Sequence, residues 1–152
     1  MRTLRGFLSL GRFERHMALE AALALVATWA GLRVTDFLRW RSVLEWLSPA
    51  APGDSWSGDR ERSYSAREIA RMQEVAERHL FFRANCLERS LALWWQLRRY
   101  GIPSDLRIGG RKEGGRFEAH AWVESNGVVL NGSEDCYLQF VPFDGSAASL
   151  KA

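Results

Sequence analysis

Residues 85–103 read Asn85-Cys86-Leu87-Glu88-Arg89-Ser90-Leu91-Ala92-Leu93-Trp94-Trp95-Gln96-Leu97-Arg98-Arg99-Tyr100-Gly101-Ile102-Pro103, and the chain changes character where they end. Leu87, Leu91, Trp94, Trp95 and Leu97 recur at the three- and four-residue steps of one buried helix face. Asn85 is a side-chain acceptor for the free N–H groups of a first turn, and Glu88, three residues on, completes a capping box. Gly101 suits the left-handed position that closes a helix, and Pro103 stops its continuation. The spacing predicts a helix opening at Asn85 and closing at Gly101, with Cys86 on its first turn.

Beyond Pro103 the period becomes two. Alternating segments fall at about Asp105–Ile108, Arg116–Glu124, Val128–Gly132 and Tyr137–Val141. Gly109, Gly110, Gly114 and Gly115 punctuate them as a hairpin connection, and Asn126-Gly127 is a strong two-residue turn signal. Upstream, a helix is expected from Phe13 to about Leu32, with Leu19, Leu23, Val26, Ala27 and Ala30 on its buried face. A second helix covers Asp36–Leu47, and a third starts at Ser65, capped by Glu68, and runs to about Phe82. Helices first and strands afterwards give an α+β fold with an antiparallel sheet. The chain divides into a helical N-terminal extension (1–47), a Pro-, Gly- and Ser-rich linker (48–63) and a chemistry-bearing domain (64–152), together one folded unit.

A chain of 152 residues has room for one well-packed core, and 47% apolar with 26% charged residues is the balance of a folded protein. The net charge is +3, yet acidic residues are interspersed throughout, and the aromatic residues sit among aliphatic ones at helical spacing. That pattern argues against a nucleic-acid groove. Met1–Arg15 is basic but lacks the apolar core and cleavage site of a secretory signal, so Cys86 and Cys136 are expected as free thiols in a reducing cytoplasm. The apolar run Ala21–Leu32 is about a dozen residues, short of the roughly 20 of a membrane span, and a buried helix is expected there. No Cys-x-x-Cys or His-x-x-x-His spacing and no phosphate loop occurs, so neither metal nor cofactor is expected.

A thiol is nucleophilic as thiolate, and a helix N-terminus favours an anion through its partial positive charge and free N–H groups. The same N–H groups suit the oxyanion of an acyl-transfer intermediate. A base is needed on a separate element. His120 supplies one in Glu118-Ala119-His120-Ala121-Trp122-Val123-Glu124, where alternation places His120, Trp122 and Glu124 on one strand face. His16 and His79 read as ordinary surface histidines near helix ends. If Asn126-Gly127 is a two-residue turn, Ser125 pairs with Val128, Val123 with Leu130 and Trp122 with Asn131. Asn131 then shares the His120 face as a candidate to orient the imidazole, and Asp135, further along, is its rival.

These residues resemble the transglutaminase-like superfamily, and more closely the stand-alone leader peptidases of lasso-peptide biosynthesis. The resemblance rests on Asn85-Cys86-Leu87, Tyr100-Gly101-Ile102-Pro103, Leu106-Arg107-Ile108-Gly109, Ala119-His120-Ala121-Trp122-Val123-Glu124 and Val128-Val129-Leu130-Asn131-Gly132, in that order. It implies a transglutaminase/papain-like core with the nucleophile at a helix N-terminus. It also implies a cytoplasmic cysteine protease in which Cys86 attacks the leader–core bond of a ribosomally made precursor and His120 acts as base and then acid. The family's third residue is usually aspartate, so either Asn131 substitutes or Asp135 takes the role. The implied partners are the precursor peptide, a separate leader-recognition protein and an ATP-dependent cyclase, with the helical Phe13–Leu47 region as docking surface. A transglutaminase-like hydrolase or amidotransferase of other specificity, and a non-catalytic scaffold, are the alternatives.

Overall fold

The computed structural model describes residues 11–48, 65–132 and 139–143. Four helices come first: α1 (Arg12–Val34), α2 (Phe37–Trp46), α3 (Ala66–Glu77) and α4 (Cys86–Arg99). Four strands follow, β1 (Asp105–Glu113), β2 (Arg116–Ser125), β3 (Val128–Val129) and β4 (Val141–Pro142). All their pairings are antiparallel, in the order β3-β2-β1-β4. The fold is α+β. The proposed linker lies outside the described residues except for Ser48, as do Asp135, Cys136 and the first part of the expected fourth strand.

Local chemistry accounts for the helix ends. Asp36 Oδ1 accepts from Arg39 N–H at 2.9 Å to start α2. At α3 the Ser65 hydroxyl accepts from Glu68 N–H at 3.2 Å, while the Glu68 carboxylate accepts from Ser65 N–H at 2.8 Å. Gly101 closes α4 at φ 69°, a left-handed geometry that costs a residue with a Cβ. There Ile102 N–H reaches Leu97 C=O and Gly101 N–H reaches Arg98 C=O, both at 2.9 Å, the paired bonds of a Schellman motif. Asn126 and Gly127, at φ 50° and 75°, make the two-residue turn joining β2 to β3, and Ser125 pairs with Val128.

The main core draws on every helix and on β2: Met17 and Ala18, Leu44, Ile69 and Met72, Leu91, Leu93, Trp94 and Leu97, and Val123. Helix α1 is part of that core, but not through the face expected. Its buried positions are Met17, Ala18, Ala21, Ala24, Leu25, Thr28 and Gly31, while Leu19 and Leu23 are exposed. Two faces of this helix are apolar, and the one rich in alanine and glycine lets α3 and α4 approach closely. The 23 residues of α1 make it the one described helix long and apolar enough to cross a membrane by length and composition, although 39% of that window is buried.

Two further expectations need correction. Helix α3 ends at Glu77 and not near Phe82, because Leu80 and Ala84 turn into a second cluster with Ala21, Leu25, Ala76 and Ala92. Strand β1 continues through Gly109 and Gly110, and only Gly114 and Gly115 form the turn. At Gly109 a Cβ would lie 2.8 Å from the Val141 carbonyl and 3.0 Å from the Trp122 ring, so glycine here admits both β4 and the indole.

Candidate active site

Cys86 is the first residue of α4, half-buried and free of any disulfide. The capping box holds the turn: Asn85 Oδ1 accepts from Glu88 N–H, and the Glu88 carboxylate accepts from Asn85 N–H, both at 2.9 Å. The first intrahelical bond is Arg89 N–H to Asn85 C=O at 3.0 Å. The amides of Cys86 and Leu87 lie ahead of it, in the helix-end position that receives anions. Glu88 is buried, and Arg33 of α1 donates to its carboxylate at 2.9 Å while covering the Trp29 ring at 4.2 Å. The charge two residues from the thiol is thereby paired.

Two contacts fix how α4 runs along β2. Ser90, one turn beyond Cys86, donates its hydroxyl to Ala121 C=O at 2.9 Å. Past the helix end, Pro103 C=O accepts from the Ser125 hydroxyl at 2.8 Å. The helix thus starts at the His120 end of the strand and finishes at its hairpin end. Val123 enters the core under α4, whereas the pleat turns His120 to the alternate face with Trp122 and Glu124. The imidazole stacks on Phe140, 5.1 Å between centroids, and on Trp122 at 6.3 Å. The Trp122 indole N–H is anchored on Glu124 at 2.7 Å. Burial, reinforced by the positive charges of Arg89 and Arg111, holds the His120 pKa below the usual histidine value. A lowered pKa favours the neutral ring, the form that can accept a proton.

Among the described residues no hydrogen bond joins Cys86 to His120, and none joins His120 to Asn131. Asn131 is committed elsewhere. Its Oδ1 accepts from Val123 N–H at 2.8 Å, and its Nδ2 donates to Ser90 Oγ at 2.9 Å. The expectation is that it orients the imidazole, and both polar atoms of its side chain are engaged with Val123 and Ser90. Beyond β3, which ends at Val129, the register with β2 runs on through Leu130 to Asn131. Its side-chain carbonyl instead takes the Val123 N–H, continuing the ladder after Leu130 N–H has reached Val123 C=O at 2.9 Å. Asp135 lies outside the described residues. The Ser90 hydroxyl, which sequence reasoning passed over, is the junction between helix and hairpin, and its place four residues after Cys86 was the available signal.

The transglutaminase-like superfamily model matches residues 19–143, which takes in the thiol, the imidazole and all four strands. The chain belongs to the transglutaminase-like superfamily. That superfamily includes cysteine proteases and usually carries a Cys-His-Asp triad. Neither the curated proteins nor the solved structures give a match. The transglutaminase-like match begins inside α1, in keeping with that helix being part of the core. Among the described residues no group of three His, Cys, Asp or Glu side chains is placed to hold a metal ion.

Proposed function

We propose that this transglutaminase-like chain is a cysteine peptidase that removes the leader from a ribosomally made precursor. The observation that carries the chemistry is Cys86 at the capped start of α4, tethered through Ser90 to the residue beside His120. The neutral imidazole takes the thiol proton, and the thiolate adds to the scissile carbonyl to give a tetrahedral oxyanion facing the free amides of the first turn. Collapse breaks the C–N bond, and the imidazolium returns its proton to the leaving amine. Water, deprotonated by His120, then hydrolyses the thioester and regenerates the thiol. Catalytic hydrogen bonds often tighten only once substrate is bound, which accommodates the open Cys86–His120 pair.

The leader–core bond as substrate rests on the motif set from Asn85 to Gly132. The docking of a recognition protein rests on the outer face of α1, where Leu19, Leu23 and Val34 stand exposed. In this reading the protein works in the cytoplasm, upstream of the ATP-dependent cyclase that receives the trimmed core. Mass spectrometry of precursor incubated with this protein and its recognition partner tests it. A released leader acid is expected, and unchanged cleavage by Cys86→Ala would sink the proposal.

One observation favours a second reading, a non-catalytic scaffold. The imidazole stacks on Phe140 and Trp122 without a hydrogen bond to Cys86 among the described residues. Alkylation of Cys86 at pH 6 separates the two: it is fast and dependent on His120 for the peptidase, slow and indifferent to His120 for the scaffold.

A further inference from the structure

The turn between α3 and α4 carries an aromatic group that neither the core nor the proposed chemistry uses. Leu80 and Ala84 pack into the core, so the residues between them are pushed outward. Phe82 lies against Trp29 of α1 at 4.9 Å between centroids. Phe81 meets both rings edge-on, 6.2 Å from Trp29 and 5.2 Å from Phe82, and is 84% exposed. Such exposure contributes little to burial and is unusual for a phenylalanine held in place by two neighbours.

This group is continuous with the cap that positions Cys86. Arg33 covers the Trp29 ring at 4.2 Å and donates to Glu88 at 2.9 Å, and Glu88 accepts from Asn85 N–H. Phe82 precedes Cys86 by only four residues. One guanidinium therefore links the rings to the residues on either side of the nucleophile. A group of three rings is small beside the roughly 800 Å² per partner of a stable protein interface. With its charge committed to Glu88, Arg33 leaves that face suited to an uncharged group.

We propose that Trp29, Phe81 and Phe82 form a subsite for an aromatic or branched aliphatic side chain of the peptide that Cys86 attacks. The proposal rests on the peptidase reading and specifies its substrate. Phe81 is the open ring of the cluster, and an incoming ring can meet it in the offset geometry aromatic pairs prefer. The gain expected from one shallow apolar contact is roughly tenfold in rate at low probe concentration.

The test uses the full chain and two electrophiles, chloroacetamide and N-phenethyl chloroacetamide, with the rate of Cys86 alkylation read by mass spectrometry. The phenethyl probe is expected to react about tenfold faster. Phe81→Ser is expected to bring the ratio of the two rates close to that of free cysteine, and Phe81→Trp to retain it. Trp46→Ser, which removes an exposed aromatic side chain from α2, is expected to leave the ratio in place. A wild-type ratio equal to that of free cysteine, or one that survives Phe81→Ser, overturns the subsite. Slow reaction of chloroacetamide itself, unaffected by His120→Gln, overturns the peptidase reading on which the subsite depends.

Discussion

Replacing Ser90 by alanine removes one oxygen from the place where α4, β2 and the end of the hairpin meet. That oxygen donates to Ala121 C=O and accepts from Asn131 Nδ2, each at 2.9 Å, and Ser90 is fully buried. Two partners are orphaned at once. A buried polar group left unsatisfied costs about 1–3 kcal/mol. Asn131 is half-buried and gains water in compensation, so the cost falls mainly on the Ala121 carbonyl, and the total comes to about 2–3 kcal/mol. For a chain of this size each kcal/mol moves the melting temperature by about 2–4 °C, giving a loss of about 4–12 °C. Urea denaturation followed by circular dichroism measures the free energy, with an unchanged m-value showing that the native state keeps its compactness. Ser90→Ala and Asn131→Ala remove the same bond, so the double variant should lose less than the sum of the single ones, with coupling of about 0.5–1.5 kcal/mol. Additive effects, or a Ser90→Ala cost below about 0.5 kcal/mol, would refute the assignment of this hydroxyl as the tether. A second readout tests the role of Asn131: Asn131→Ala should lower stability while leaving the pH midpoint of Cys86 alkylation in place, whereas an imidazole-orienting residue would move it.

Other expectations follow from single contacts. His120 is held below the ordinary histidine value by burial and by Arg89 and Arg111. Between its folded pKa and about 6.5 the unfolded chain therefore binds more protons, and stability rises with pH across that window and falls on acidification. His120→Gln should flatten this dependence in denaturation curves taken from pH 5 to 7. Asn85→Ala removes the acceptor for Glu88 N–H and should cost about 1 kcal/mol in urea denaturation, while Asn85→Asp should keep most of it. Gly109→Ala drives a methyl group into the Val141 carbonyl and the Trp122 ring, and a loss of about 1–3 kcal/mol is expected, with a change in tryptophan fluorescence reporting the displaced indole.

Much of this molecule could be read from local signals because local physics decides them. The caps of α3 and α4, the Gly101 closure and the Asn126-Gly127 turn each depend on groups within a few residues of one another, and all stand as the spacing predicts. The same holds for the placement of Cys86 on a first turn and of His120 with Trp122 on one strand face. What escaped was set by distant partners. In α1 both the leucine face and the alanine face satisfy helical periodicity, and only the positions of α3 and α4 choose between them. The end of α3 is decided by the cluster that draws in Leu80 and Ala84. For Asn131, strand parity says nothing of the Val123 N–H and the Ser90 hydroxyl that take up its side chain.

The contacts that hold α1 join residues 55 to 80 positions apart in sequence. Gln96 donates to Met17 C=O across 79 positions, Tyr100 bonds Glu20 across 80, and Arg33 bonds Glu88 across 55. Closing such loops is entropically costly and slow compared with forming a hairpin. During synthesis at about 5–20 residues per second, α1 waits on the order of 4–16 s for its partners on α4 to be made. Throughout that interval it shows apolar residues on both sides. Helix α1 is therefore the segment most in need of a chaperone or an early partner, and its inner face is the one such a helper must release before the fold can close.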